Sequence, residues 1–426
     1  MDMTSRSSTA RVIGAGVIGN LLEWYDFAIY GLFAAQIGHT FFPTEDKVAQ
    51  LLAAFAIFAI GYVMRPLGGL VTGYIGDRLG RRAALTFSVS AMAIPTFLIG
   101  VLPGYQTLGV MAPVLLTALR VIQGLSVGGE YTTAMVFLVE RAPPGRRGLL
   151  GSVCAFGGDI GVLLGSALGA VLGAVMLPEA LADWGWRLPF ILGLFVGLAG
   201  FALRRGIDEA PVAKESRTAM MAAMRGHLPL MVRLAGLSVF LAVGYYLMFL
   251  YIVSWLQTAD GIAPERALTI NTISILALLP VYPFAGWLSD QIGRRRTMLI
   301  AMVGALVGSW PLFWLLHHPS PILVLAGQFG FVLIVGLYEG TLASMLVEAV
   351  PHRMRCTAVA ISYNIPIGII GGLTPLAATW LVARTGNDLS PAYMLIAAAA
   401  ISTLALLFMP ETYRQRFQAA AEPVAA

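Results

Sequence analysis

Apolar runs of about twenty residues alternate with short polar turns along this chain, and a run of that length is what a helix needs to cross a bilayer. No stretch shows the strict alternation of a barrel strand. In lipid the backbone must satisfy its own hydrogen bonds, so the runs read as helices. Twelve spans are expected, at about 11–37, 48–75, 83–102, 109–139, 148–176, 187–204, 229–257, 266–288, 297–316, 321–347, 357–383 and 391–410. The longest connection carries Asp208, Glu209, Lys214, Glu215, Arg217 and Arg225, and it divides six spans from six. The expected fold is an all-α integral membrane protein of twelve transmembrane helices in two pseudo-symmetric six-helix bundles. Its divisions are a first bundle at 1–204, a central loop at 205–228 and a second bundle at 229–426.

The turns repeat as well. After the second span comes Gly73-Tyr-Ile-Gly-Asp77-Arg78-Leu-Gly80-Arg81-Arg82, and after the eighth comes Gly286-Trp-Leu-Ser-Asp290-Gln-Ile-Gly293-Arg294-Arg295. Glu140, Pro143 and Arg147 after the fourth span are echoed by Glu348, Pro351 and Arg355 after the tenth. Two related halves of the same orientation result, and in such folds the substrate site lies between the halves near the midplane. Asp77, Arg78, Arg81, Glu140, Arg147, Asp290, Arg294, Glu348 and Arg355 are candidates for a cytoplasmic gate that latches the halves. Arginines there also keep loops inside, so the same residues serve topology.

Composition strengthens the membrane assignment. Hydrophobic residues make up 58% of the 426 and charged ones 12%, against about 45–50% and about 25% in soluble proteins. The 47 glycines suit closely packed membrane helices. The net charge of +5 comes from arginines gathered at one set of helix ends, not from a nucleic-acid surface. By the positive-inside rule that side, with both termini, is cytoplasmic. No cleavable leader pattern is seen at the N-terminus. Cys154 and Cys356 form no disulfide framework, the five histidines have no metal-ligand spacing, and no phosphate-binding glycine loop is present. Neither an enzyme nor an ATP-driven pump is expected. No cofactor is expected, with a proton gradient as the driving force.

Charges inside membrane spans are costly and mark partners or function. The first half holds Glu23, Asp26, Arg65, Arg120, Glu130 and Asp159; the second holds Glu339. Proton coupling is therefore placed mainly in the first half, on Asp26, Glu23, Arg120 and Glu130. Asn20, Glu23, Asp26 and Tyr30 share one helical face, and Asp26 and Arg120 lie at compatible depths. If a substrate anion occupied Arg120, Asp26 would lose its partner and bind a proton more readily; a static ion pair between spans 1 and 4 is the other reading. Arg65 either grips a carboxylate bidentately or pairs with Glu23 or Glu130. Substrate contacts are expected from Arg120, Gln123, Arg65, Tyr30, Asn20, Tyr245, Tyr363 and Asn364. Glu130 and Glu339 are read as near symmetry mates that serve either as proton sites or as inner-gate ties, the second reading being favoured for Glu339.

The basic turns resemble the signature of the major facilitator superfamily. Asn20-Leu-Leu-Glu23-Trp-Tyr-Asp26-Phe, Arg65-Pro-Leu-Gly-Gly, Arg120-Val-Ile-Gln123-Gly-Leu-Ser-Val-Gly-Gly-Glu130-Tyr and Trp184-Gly-Trp-Arg187-Leu-Pro-Phe resemble its metabolite:proton symporter branch. The resemblance implies proton-coupled import by alternating access, with a span-1 carboxylate opposite a span-4 arginine. Leu102 to Pro113 and Gly371-Gly-Leu-Thr-Pro375 look like the citrate carriers, whereas Glu130-Tyr-Thr-Thr looks like the osmolyte carriers. A short tail without heptads lowers the osmosensor reading. The expected substrate is a small organic anion, a di- or tricarboxylate such as citrate. The alternatives are a proline or betaine symporter and a non-transporting receptor of the same fold. A monomer in a bacterial inner membrane is expected, with protons, lipid and a small molecule as its partners and no nucleic acid.

Overall fold

The computed structural model describes residues 21, 23–65, 67, 68, 71, 75, 81–126, 130–204 and 226–413. Among these residues every regular element is helical. The helices are α1 (23–41, with one irregular turn at Phe33), α2 (Lys47–Val63), α3 (Arg81–Val101), α4 (Met111–Glu140), α5 (Arg147–Val175) and α6 (Leu188–Arg204) in the first half. The second half holds α7 (Leu228–Ala259), α8 (Pro264–Ile292), α9 (Arg294–Leu316), α10 (Pro321–Glu348), α11 (Arg355–Thr385) and α12 (Ser390–Leu407). Eight of them are long and apolar enough to cross a membrane unaided, and the helices Lys47–Val63, Thr86–Val101 and Gly185–Phe195 are shorter apolar ones. At 29 residues, α5 and α8 are each about 44 Å long, which spans a bilayer core with tilt.

Two helices depart from the regular pattern that hydropathy predicts. The backbone is π-helical at Tyr246–Tyr251 in α7 and at Pro366–Gly371 in α11. Pro366 has no N–H to give to the preceding turn, so the helix cannot close its normal ladder there. Such widened turns gather at functional sites, and these two lie on helices that face the other half. The expected end of span 1 also moves, from residue 37 to Phe41.

The halves meet along α5 against α8, α2 against α11, and α1 against α7. Glycine decides two of these contacts. A Cβ on Gly148 would stand 2.3 Å from the carbonyl oxygen of Gly286, and one on Gly372 would stand 2.4 Å from Cβ of Tyr62. Backbones approach this closely only where a side chain is missing. The most apolar stretch of α7 is 94% buried, against 33% for α9, so α7 lies at the centre and α9 faces lipid. Arg187, between the halves of the Trp-Gly-Trp-Arg-Leu-Pro-Phe motif, donates to the Gly100 and Leu102 carbonyls at 3.2 and 2.6 Å. It satisfies the open carbonyls at the end of α3 and favours the negative pole of that helix.

Candidate functional site

Among the described residues, three clusters that contain charged side chains lie in the membrane region. The first is internal to the first half. Arg120 on α4 meets Asp26 on α1 at 3.1 Å and Gln123 at 2.9 Å; the Gln123 amide in turn donates to Asp26 at 2.7 Å. Thr96 on α3 also donates to Asp26. The guanidinium lies 4.3 Å from the Tyr30 ring centroid and 4.9 Å from that of Phe27, while the Tyr30 hydroxyl donates to the Ala54 carbonyl of α2 at 3.2 Å. All four polar residues are buried. The structure thus brings Asp26, Arg120, Gln123 and Tyr30 together, tying α1, α2, α3 and α4 to one another.

The second cluster lies where the halves meet. Arg65, just beyond α2, donates to the Glu23 carboxylate of α1, so its partner is Glu23. Around this ion pair runs a circuit of aromatic rings. Arg65 lies 5.1 Å from the Tyr62 centroid, and Tyr62 is 5.3 Å from Tyr246. Tyr246 is 5.9 Å from Tyr245, and Tyr245 is 5.5 Å from Trp24. Trp24 is 5.9 Å from Tyr131, which stacks on Tyr363 at 5.1 Å. Both halves supply rings: α1, α2 and α4 from the first, α7 and α11 from the second. Asn364 is half-buried next to Tyr363.

The third cluster was the least legible. Asp159 on α5 is within 2.5 Å of the hydroxyls of both Tyr245 and Tyr282, and the Tyr282 hydroxyl is 2.7 Å from Glu339. Asp159 therefore reaches across to the second half through two phenols. Glu339 is no inner-gate tie: it lies nine residues before Glu348, about 13 Å along α10, facing Tyr282. Tyr282 drew no attention in the sequence because a tyrosine between prolines in an apolar run carries no periodic signal. Trp24 and Tyr131 stood beside charged residues in the motifs, which was the available clue to the aromatic circuit.

At the arginine-rich end the gate residues form a network across the halves. Gly148 and Leu149, at the start of α5, each donate a backbone N–H to the Asp290 carboxylate at 2.9 Å. Asp290 thus caps a helix of the opposite half as well as meeting Arg294 at 2.7 Å. Arg294 grips Glu348 through two nitrogens at 3.0 and 3.1 Å, and Arg147 stands 3.8 Å from Glu348. Arg355 meets Glu140 at 2.5 Å. Gly293 turns the chain with φ +107, a conformation that glycine adopts without strain. Glu411, unforeseen from the sequence, accepts from the backbone N–H groups of Arg294 and Arg295 at 2.9 and 3.2 Å. Among the described residues, this end of the molecule is bridged from half to half. Asn20, Asp77 and Arg78 lie outside the described residues, as do the side chains of Arg81 and Glu130.

The family model described as Major Facilitator Superfamily matches residues 16–362 and 234–424. The glycine betaine/proline/ectoine/pipecolic acid transporter OusA of Dickeya dadantii (strain 3937) is 35% identical over 418 residues, 94% of this chain and 83% of that protein. The proline/betaine transporter of Escherichia coli (strain K12) is 34% identical over the same length and the same shares. Among solved structures, a D-xylose-proton symporter superposes with a TM-score of 0.76 at 21% identity, covering 95% of this chain and 99% of that one; that likeness concerns the fold.

Proposed function

Since the chain belongs to the Major Facilitator Superfamily, in its metabolite:proton symporter branch, we propose that it is a proton-coupled secondary transporter importing a small zwitterion that joins an ammonium to a carboxylate, of the betaine and proline type. The observation that carries the substrate class is the Arg65–Glu23 ion pair at the junction of the halves, with the Tyr62 ring against Arg65 and a run of further aromatic rings leading from it. A zwitterion complements an ion pair. Its carboxylate takes the Arg65 fork, its ammonium takes Glu23, and the buried charge stays balanced. Quaternary ammonium groups also bind over aromatic faces, at about 0.5–2 kcal/mol per ring.

A tricarboxylate would meet one guanidinium at this junction and be repelled by Glu23. Arg120, which the sequence also suggests as a substrate contact, is held inside the first half by Asp26 and Gln123. The di- and tricarboxylate expectation therefore gives way to the zwitterion one, in keeping with the substrates that the names of its relatives carry. Asp26 and Arg120 then serve as a static pair. Alternating access follows from rocking of the halves about this junction, with the closed arginine-rich end as the cytoplasmic gate.

The test is uptake of labelled glycine betaine into proteoliposomes under an acid-outside gradient, with proline and citrate as competitors. Proline is expected to compete and citrate to have no effect. Arg65→Lys and Glu23→Gln are each expected to lower kcat/KM by about tenfold or more, since the first removes the planar fork that grips a carboxylate and the second removes one partner of a buried charge pair. Competition by citrate alone overturns the substrate class. Binding without uptake favours a receptor of the same fold.

A further inference from the structure

Three short oxygen–oxygen contacts join Asp159, Tyr245, Tyr282 and Glu339, and their hydrogens can be counted. Tyr245 meets one carboxylate oxygen of Asp159 at 2.5 Å, Tyr282 meets the other at 2.5 Å, and Tyr282 also meets Glu339 at 2.7 Å. Two phenols supply two hydrogens. Tyr245 uses its own on Asp159. Tyr282 has one hydrogen for two carboxyl groups, so the other contact is made only if a carboxyl donates to the phenol oxygen. With both acids ionised, lone pairs would face each other at hydrogen-bond distance in a buried place.

We propose that Asp159 and Glu339 form a proton-binding site across the two halves, one proton being shared between them through the hydroxyl of Tyr282. Both carboxyls are buried, at 2% and 5% exposure. Among the described residues neither has an arginine, lysine or histidine in ion-pair range. The groups that face the pair are phenols: Tyr131 from α4, Tyr245 and Tyr246 from α7, and Tyr363 from α11. The Arg65–Glu23 pair, which lies near Tyr246 and Tyr363, is neutral overall. Among the described residues nothing else balances two ionised acids here, so the proton does it.

The site couples the proton to shape. Asp159 belongs to α5, whereas Tyr245, Tyr282 and Glu339 belong to α7, α8 and α10. With a proton taken from water, Tyr282 is hydrogen-bonded to both acids; returning the proton to water leaves two carboxylates sharing one phenol hydrogen, and their repulsion weakens the junction of α5 with α8. Tyr245 is also part of the aromatic circuit against Trp24, so closure of the junction and closure around the substrate share a side chain. The coupling role rests on the transport reading given above; the proton site itself does not.

Two measurements separate them. Infrared difference spectroscopy of the purified protein near neutral pH reads the C=O stretch of a protonated carboxyl without any transport. The band is expected in the unaltered protein and lost in Asp159→Asn or Glu339→Gln. A band that survives both substitutions, or that disappears only with Asp26→Asn, overturns the proposal. If both amide variants fail to fold, Tyr282→Phe removes a single oxygen and is expected to shift the band; an unshifted band also overturns it. In proteoliposomes, a gradient of about one pH unit supports about tenfold accumulation by a one-proton symporter. Asp159→Asn and Glu339→Gln are expected to lose that tenfold while retaining betaine tracer exchange, because a neutral amide closes the junction at any pH. Gradient-driven accumulation that persists in both variants overturns the coupling role. If the unaltered protein moves neither betaine nor proline, the transport reading fails and the infrared result stands alone.

Discussion

Arg120 is wholly buried, with Asp26 and Gln123 on one edge of its guanidinium and the rings of Phe27 and Tyr30 against its faces. Removing one partner of such a pair strands a charge and costs about 3–5 kcal/mol, whereas removing both is far milder. Arg120→Gln is expected to destabilise the protein by that amount, and Asp26→Asn with Arg120→Gln to restore most of it. Thermal unfolding in detergent, arranged as a double-mutant cycle, measures the difference. If the pair instead served the substrate directly, the double variant would be stable yet unable to bind. The sequence showed that Asp26 and Arg120 lie at matching depths. It did not show that Thr96 and Gln123 complete the carboxylate, because those bonds depend on how α3 and α4 turn about their axes.

At the scale of the helix, α5 and α8 are held together by what they lack. The pairing of Gly148 with Gly286 leaves no room for a Cβ between the backbones, and Asp290 uses the same proximity to cap α5. Gly148→Val is expected to force these ends apart and favour the state open at the arginine-rich face. Spin labels on the facing ends of α5 and α8 would report longer distances; an unchanged distribution would mean that the helices close elsewhere. Hydropathy placed both helices to within a few residues. The π-helical turns of α7 and α11 escaped it, since a widened turn alters hydrogen bonding without altering polarity.

Across the whole molecule, the closed end rests on charges exchanged between halves. Glu140 of the first half meets Arg355 of the second, and Arg147 approaches Glu348. Each single reversal, Glu140→Arg or Arg355→Glu, sets like charges face to face. Such reversals are expected to disfavour closure by about 2 kcal/mol or more, giving carriers that leak substrate down its gradient. The double reversal is expected to restore tight coupling, which proteoliposome efflux measures. Restoration would show that the pair works as a latch; equal leakage in singles and double would confine these arginines to topology.

The turn repeated at Asp77 and Asp290, the lengths of the apolar runs and the bias of arginine to one side were sufficient for twelve helices in two halves. All three are one-dimensional properties that the bilayer enforces through hydrogen bonding and the cost of burying charge. The identity of several site residues was also legible, because charge inside a span stands out. What only the tertiary structure decided was partnership. Arg65 chose Glu23, Glu339 joined Asp159 through Tyr282 instead of the gate, and six rings from five helices came into contact beside one ion pair. Those choices follow from the rotation and approach of helices far apart in the chain, which packing settles and no local pattern records.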